Sequence, residues 1–398
     1  MVITKHSRIS LYPLQINKDK NHFIVEDKLT GEFYEMPEIC IEAIAMMNEG
    51  QPLDLVEEIL KERYPDEQVD MQNFAVDLLE LGLVKIVDGN VIPKEVEKKK
   101  NNGGLEWIPA SLGHFFFNTY SSIFYSLILL GSIILFAFNP SLFPVYDDVF
   151  LFDLMIYNIL VFLSISFIFV VVHEIGHVLA IRAEGLPTKI ELGHRLFFVV
   201  LETDMSRVWS LEPKKRNRLY LAGMYFDVSV LFLALLVQLL FVDHFLIVGI
   251  AKMVVISTFI RIVYQFCVYM KTDLYYVLEN FSGCYNLMEN GQMFLKRWIP
   301  FLPTNGKTAT FKGEDKLVRP YAVFYLFGVL VTITIAIFYN FPLIIHAGIL
   351  VSPGFLEPVS SIYFWDATVF FLQFILMFGL LAYSWSKKYR KKQKRQPV

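Results

Sequence analysis

The stretch VVVHEIGHVLA, residues 170–180, places two histidines and a glutamate inside an otherwise apolar segment. The surrounding residues, from Phe150 to Ile181, are almost continuously apolar. As a helix, such a run is long enough to cross the ~30 Å hydrocarbon layer of a bilayer. Ionisable side chains in a membrane-spanning helix are costly, so they indicate a functional site by default. His173, Glu174 and His177 are therefore the first candidates for such a site.

The composition of the whole chain is typical of a polytopic α-helical membrane protein. Of its 398 residues, 55% are hydrophobic and 16% aromatic, and the mean hydropathy is +0.46. Soluble domains average about 45–50% apolar residues. Six apolar runs predict six transmembrane helices, near 115–138, 150–182, 219–242, 245–270, 321–338 and 365–385. The further run 341–351 is too short to span alone, and we expect a re-entrant or interfacial piece there.

The distribution of lysine and arginine predicts the orientation of the spans. Loops 183–218 and 271–320 each hold seven such residues, and seven more follow Trp385. The connections on the opposite side hold none; they are 139–149, 243–244 and 340–364. By the positive-inside rule, both termini and the long loops are expected in the cytosol of a multi-pass cell-membrane protein. The three cysteines show no CxxC spacing, so they predict neither a disulfide framework nor a cysteine zinc site.

Residues 1–95 predict a small cytosolic α+β domain ahead of the spans. HFIVEDKLTGEFYEM, residues 22–36, indicates two strands around a turn. Three stretches of helical periodicity follow, and then a short strand pair. Strands, three helices and a terminal hairpin together predict a winged-helix-like module. This domain, residues 1–95, is called the head below. It lacks a dense basic stripe, and the net charge of the chain is −3, so we expect no nucleic-acid partner.

The charged segment KEVEKKKNNGG, residues 94–104, is typical of a flexible linker. The expected domain organisation therefore has four parts. These are a head at 1–95, a linker or interfacial segment at 96–114, a six-helix membrane domain at 115–386 and a basic cytosolic tail at 387–398.

The spacing of the ionisable residues in HEIGH favours a zinc site. His173 and His177 lie four residues apart, hence on one helical face, where two imidazole nitrogens can hold one Zn²⁺. Glu174 is adjacent and is the candidate general base, and HExxH is the pattern of zinc-dependent peptidases. Gly176 costs ~1 kcal/mol of helix propensity, and we expect it to let substrate approach the metal. The alternatives are a chance match and a structural histidine pair without metal.

Catalytic zinc usually has three protein ligands, so one ligand is missing from HEIGH. The candidates are Asp273 at the cytosolic end of the fourth span, Asp227 in the third span and Asp204 in the loop between the second and third spans. Asp227 and Arg261 also lie at a similar depth in the third and fourth spans, roughly 12–15 Å from the cytosolic ends. An unpaired arginine at that depth would be costly, so we predict an Asp227–Arg261 ion pair.

The order of these motifs resembles the site-2 protease family of intramembrane zinc metalloproteases. The closer resemblance is to bacterial peptide zinc metalloproteases in gene clusters for ribosomally made, modified peptides of the epipeptide type. It rests on HEIGH, KKRNR, LAGMYFD, TDLYYVL and YNL, and it covers most of residues 150–290. The resemblance implies a site-2 protease-like core, with His173, His177 and Asp273 as metal ligands and Glu174 as base. The chain departs from the family pattern at Leu274, where glycine is frequent, and at Asp227, which takes the place of an asparagine.

The resemblance also implies a peptide substrate and a function for the head. Residues 1–95 look like the winged-helix modules that bind precursor leader peptides by strand addition, with 22–27 or 31–36 as the docking edge. An ordinary regulatory domain is the alternative. Loop 183–218 alternates in polarity and predicts a β-hairpin that clamps an extended substrate, with a plain amphipathic loop as its alternative.

The expected function is therefore that of an intramembrane zinc endopeptidase that matures a modified precursor peptide. One alternative is regulated cleavage of a transmembrane signalling protein. Another is a non-catalytic peptide exporter or immunity protein.

Overall fold

The computed structural model describes residues 3–20, 22–94, 104–152, 154–195, 198–299 and 314–393. These residues form two compact units. The first contains the described residues of Met1–Gly103 and Ser206–Pro213, and the second contains those of Gly104–Met205 and Lys214–Val398. Most of the predicted linker at 94–104 lies outside the described residues, as does the end of the predicted basic tail, 394–398.

The first unit is an α+β domain with two small antiparallel sheets. Its strands are β1 (Ile9–Leu11), β2 (Leu14–Asp19), β3 (His22–Asp27), β4 (Phe33–Met36), β5 (Val84–Val87) and β6 (Asn90–Val91). Its helices are α1 (Glu38–Asn48), α2 (Leu53–Arg63) and α3 (Met71–Glu80). The strand orders are β1-β5-β6 and β2-β3-β4. The strand pair at 22–36, the three helices and the terminal hairpin are thus confirmed, whereas β1 and β2 were not predicted.

Local sequence explains the boundaries of these elements. Gly31 adopts a φ of +67° in the turn between β3 and β4, a conformation that glycine takes without steric cost. The Asp70 side chain accepts a hydrogen bond from the backbone N–H of Asn73 at 3.0 Å and so caps the start of α3. One face of each helix is apolar and packs into a shared core, in which Met47, Leu60 and Leu78 are fully buried.

The second unit is predominantly helical. Its helices are α4 (Ala110–Phe116), α5 (Thr119–Phe138), α6 (Met155–Ala183), α7 (Pro213–Tyr220), α8 (Ala222–Leu240), α9 (Phe245–Gln265), α10 (Asp273–Ser282), α11 (Leu287–Lys296), α12 (Asp315–Ile335), α13 (Phe341–Val351) and α14 (Ile362–Gln393). A single hairpin of β7 (Ile190–Arg195) and β8 (Phe198–Thr203) completes the described part of this unit. It confirms the β-hairpin predicted in loop 183–218.

Six of the described helical segments are long and apolar enough to cross a membrane, and they match the six predicted runs. They are Thr119–Phe138, Ile156–Ala183, Pro213–Leu240, Phe245–Gln265, Asp315–Phe338 and Ile362–Tyr383. The chain is therefore a membrane protein by the length and composition of its helices. The short run 341–351 forms α13, which continues from α12 through a π-helical turn at Ala336–Asn340.

Helices α6, α8 and α9 pack together and carry most of the candidate site, to which the start of α10 adds Asp273. Gly176 of α6 lies against α8, where a Cβ atom would come within 2.8 Å of the Ala222 carbonyl oxygen. The expectation that Gly176 gives substrate access to the metal is therefore wrong. Glycine is needed at this position because the two helix backbones approach closely.

Candidate metal centre

The C-terminal half of α6 presents both histidines of HEIGH on one buried face. The Nε2 atoms of His173 and His177 lie 3.2 Å apart. The Asp273 Oδ2 atom lies 3.0 Å from His173 Nε2 and 3.3 Å from His177 Nε2. All three side chains are buried. Three potential ligand atoms from distant parts of the sequence thus form one triangle.

Hydrogen bonds to the other ring nitrogens orient both imidazoles. His173 Nδ1 donates to Asp227 Oδ2 at 2.8 Å, and His177 Nδ1 donates to the backbone oxygen of Leu219 at 2.9 Å. Since each Nδ1 faces an oxygen acceptor, it carries a proton, and in the neutral form of the ring the Nε2 lone pair then points into the triangle. Such partners for the outer ring nitrogen are typical of histidines that bind metals.

Asp273 is held by the turn that follows α9. Its backbone N–H donates to Gln265 Oε1 at 3.0 Å, and the Thr272 hydroxyl donates to the Gln265 carbonyl oxygen at 2.7 Å. Burial acts to raise the pKa of Asp273, but the facing imidazoles outweigh it and hold this pKa below its ordinary value. The carboxylate is therefore ionised, and the three facing atoms are stabilised by a positive charge among them, supplied by a bound metal ion or by a proton on an Nε2 atom.

The three atoms fit a zinc ion. Zinc binds histidine nitrogen and carboxylate oxygen at about 2.0–2.2 Å in tetrahedral geometry, which separates neighbouring ligand atoms by roughly 3.3 Å. The observed separations of 3.0–3.3 Å approach this value. An N₂O donor set with one open position is also the kind found in catalytic zinc sites. His173, His177 and Asp273 are thus the residues that would hold the ion.

Gly223 borders the same triangle and was not predicted as a site residue. A Cβ atom at this position would lie 2.4 Å from His173 Nε2 and 2.5 Å from His177 Nε2. A larger side chain would therefore occupy the space beside both ligand atoms. Gly223 belongs to the motif LAGMYFD, but nothing in the spacing of that motif shows that the glycine faces the histidines.

Asp227 lies behind the triangle. Besides accepting from His173, its carboxylate accepts a hydrogen bond from Arg261 Nε, which lies 2.9 Å from Oδ1. The predicted Asp227–Arg261 ion pair is thereby confirmed. Asp227 contacts the outer nitrogen of His173, so the structure places it behind a ligand candidate rather than among the ligand atoms.

Asp204, the third carboxylate considered from sequence, lies at the base of the β7–β8 hairpin. Its backbone N–H donates to the Lys189 carbonyl oxygen at 2.8 Å. It is not part of the group formed by His173, His177 and Asp273 among the described residues.

Glu174 is buried next to the ligand candidates, and its carboxylate has a partner that the sequence did not reveal. The hydroxyl of Thr203, the last residue of β8, donates to Glu174 Oε2 at 2.7 Å. Thr203 is also buried. In the segment 202–204, the sequence indicated only Asp204 as a site candidate. Nothing in the local sequence shows which side chain of a hairpin faces the helix.

Comparison of the chain with known proteins yields no match. None of the family profiles, curated proteins or solved structures with which it was compared resembles it significantly.

Proposed function

We propose that this chain is an intramembrane zinc endopeptidase with a site-2 protease-like core. The observation that carries the proposal is that two Nε2 atoms on a helix long enough to span a membrane meet the Asp273 carboxylate oxygen within 3.3 Å, beside Glu174. If the two histidines and the aspartate served only for packing, there would be no reason for their acceptor atoms to face one another. The HExxH spacing supports the same chemistry independently.

Each residue of the site has a separate role in the proposed peptide hydrolysis. Zinc, when bound, supplies Lewis acidity toward the scissile carbonyl and lowers the pKa of the attacking water. Glu174 takes the proton of that water on its carboxylate and later delivers it to the leaving amine. Asp227 and the Leu219 carbonyl keep the two imidazoles oriented. Burial of the site restricts access by bulk water.

The proposed topology places both termini and the long loops in the cytosol. It rests on the lysine and arginine residues of loops 183–218 and 271–320 and of the tail. Under this topology the HEIGH motif lies toward the cytosolic end of its helix. The site would then act on a peptide that enters from the cytosolic half of the membrane.

For the head we propose a winged-helix-like module that binds the leader of a modified precursor peptide. Of the two strands considered as docking edges, β3 is excluded, because it is the central strand of its sheet and pairs with both β2 and β4. Strand β4 forms an edge of this sheet. An extended leader would add its backbone hydrogen bonds there.

A metal and cleavage assay tests the enzyme proposal. Purified full-length protein in detergent should carry about one zinc per chain and should cleave dye-quenched casein in a chelator-sensitive reaction. Glu174→Gln should keep the zinc and lose the cleavage, because glutamine cannot accept the proton. A wild-type chain without zinc, or a Glu174→Gln variant that cleaves normally, would contradict the proposal.

The leader-binding proposal requires a separate measurement. A short precursor encoded beside the gene should bind the full chain more tightly than its scrambled sequence does. Equal binding of both peptides would leave the endopeptidase assignment standing and remove the leader-binding function of the head.

A further inference from the structure

Thr203 connects the β7–β8 hairpin to the glutamate of HEIGH. Its Oγ1 atom donates to Glu174 Oε2 at 2.7 Å and lies 3.3 Å from the backbone oxygen of the same residue. We propose that Thr203 is a positioning residue, whose hydroxyl holds the Glu174 carboxylate in the orientation in which it takes a proton from the attacking water. This inference rests on the proposed function and concerns a residue that acts through Glu174 rather than on substrate.

The carboxylate of a glutamate needs such support because three side-chain torsions separate it from the backbone. A general base has to lie within about 2.6–3.2 Å of the proton it removes. A hydrogen bond to a charged group is stronger than one between neutral groups and therefore favours one arrangement of the side chain. Threonine suits this task because its β-branched side chain is stiff about χ1.

The end of β8 is itself held firmly. Thr203 pairs with Ile190 across the hairpin. The next residue, Asp204, donates its N–H to the Lys189 carbonyl oxygen at 2.8 Å, and its backbone carbonyl oxygen accepts a hydrogen bond from the Thr188 hydroxyl at 2.9 Å. The Thr203 hydroxyl is therefore presented to Glu174 from a fixed backbone, as the support of a functional group requires.

The single hydrogen bond also distinguishes the two carboxylate oxygens of Glu174. Thr203 occupies Oε2, whereas no residue in the described part of the chain donates a hydrogen bond to Oε1. Oε1 is thus the oxygen that remains for the water proton. The proton passes from water to Oε1 and then to the leaving amine, so the carboxylate is regenerated at the end of the cycle.

Three variants separate positioning from hairpin stability. Thr203→Val removes the hydroxyl at nearly constant shape, and Thr203→Ser keeps it. Thr188→Val is the matched control, because it removes a hydroxyl that supports the hairpin base without contacting Glu174. All are measured as full-length, zinc-loaded protein in detergent, with zinc content determined for each.

The first readout is binding of N-acetyl-leucine hydroxamate, a zinc-binding probe with a proton that a neighbouring carboxylate can accept. Thr203→Val should weaken binding about tenfold, while Thr203→Ser stays within about threefold of wild type and Thr188→Val within about twofold. In a Glu174→Ala background, Thr203→Val should change binding less than twofold, since coupled residues are not additive. The second readout is casein cleavage, where Thr203→Val should lower kcat about 10- to 100-fold with little change in KM.

The outcomes separate this inference from the proposal on which it rests. Wild-type affinity and kcat in Thr203→Val would overturn the inference, as would an equal effect of Thr203→Val with and without Glu174. An equal loss in Thr188→Val would assign the effect to hairpin stability and would overturn it too. A wild-type chain that holds no zinc and binds no hydroxamate would overturn the proposed function itself, and the role of Thr203 with it.

Discussion

Asp227 Oδ2 accepts a hydrogen bond from His173 Nδ1 over 2.8 Å, and both side chains are buried. The other carboxylate oxygen accepts from Arg261 at 2.9 Å. One carboxylate thus joins a metal-ligand candidate on α6 to a cation on α9. From the sequence, Asp227 was a candidate both for a third ligand and for the partner of Arg261. In the structure it pairs with Arg261 and orients the ring of a ligand candidate from behind.

Substitution of Asp227 should therefore weaken zinc binding less than removal of Asp273 does. We expect Asp227→Asn to lower zinc affinity about 10- to 100-fold, the usual effect of losing a partner of a ligating histidine. Asp273→Ala removes a ligand and should lower the affinity further. Competition with a fluorescent chelator measures both, with Asp204→Asn as a control at wild-type affinity. The reverse order of the two affinities would make Asp227 the third ligand.

Neutralising Arg261 alone should destabilise the membrane unit. Arg261→Gln leaves the buried Asp227 carboxylate without its cation, and we expect a loss of up to about 3 kcal/mol, the lower end for buried pairs, because His173 still donates to it. The double variant Asp227→Asn with Arg261→Gln should recover part of the loss, since neither charge is then left unpaired. Thermal unfolding in detergent measures this cycle. Strictly additive losses would show that the pair makes no net contribution.

Periodicity and the cost of burying charge explain why part of this site was predictable. The spacing of His173 and His177 requires one helical face, and the depth of Asp227 and Arg261 requires a partner for each. Both arguments use one or two helices only. They therefore do not depend on knowing the tertiary arrangement of the whole chain.

Residues that reach the site from outside these helices were not predictable in the same way. Thr203 acts through a hairpin whose facing side is set by packing against α6, and Gly223 acts through the absence of a side chain. Strand β1 has only three residues and pairs with the distant strand β5. In these three cases the deciding contact joins segments whose approach no local pattern encodes. Strand β2 is different, because it pairs with its neighbour β3, but its largely polar sequence LQINKD gives a weak strand signal.

The stability of the region around α10 should depend on pH through Glu279. Its carboxylate is buried, accepts hydrogen bonds from the Tyr275 hydroxyl and from the backbone N–H of Leu287, and burial raises its pKa to about 7. The folded state therefore binds this proton more tightly than the unfolded state, so stability is greatest below the ordinary glutamate pKa and falls as pH rises to about 7.

Replacing Glu279 with glutamine removes the ionisation and should flatten this dependence. The unfolding temperature of the wild-type chain should fall by a few degrees between pH 5 and pH 8 relative to that of Glu279→Gln. Thermal unfolding in the same detergent at both pH values measures the difference. Parallel pH profiles of the two proteins would show that Glu279 does not titrate in this range.

Gly223→Ala should abolish zinc binding while leaving the helices intact. The added Cβ would lie 2.4 and 2.5 Å from the two histidine Nε2 atoms, closer than nonbonded atoms approach, so the rings must turn away from the triangle. Alanine favours helix over glycine by about 1 kcal/mol, so the substitution is not expected to weaken α8 through propensity. Gly379→Ala is the matched control, because a Cβ there meets no atom within 4 Å, and it should keep the zinc of the wild-type chain. Zinc analysis and circular dichroism of both variants test the prediction. Full zinc occupancy in Gly223→Ala would mean that the ion does not lie among these three ligand atoms.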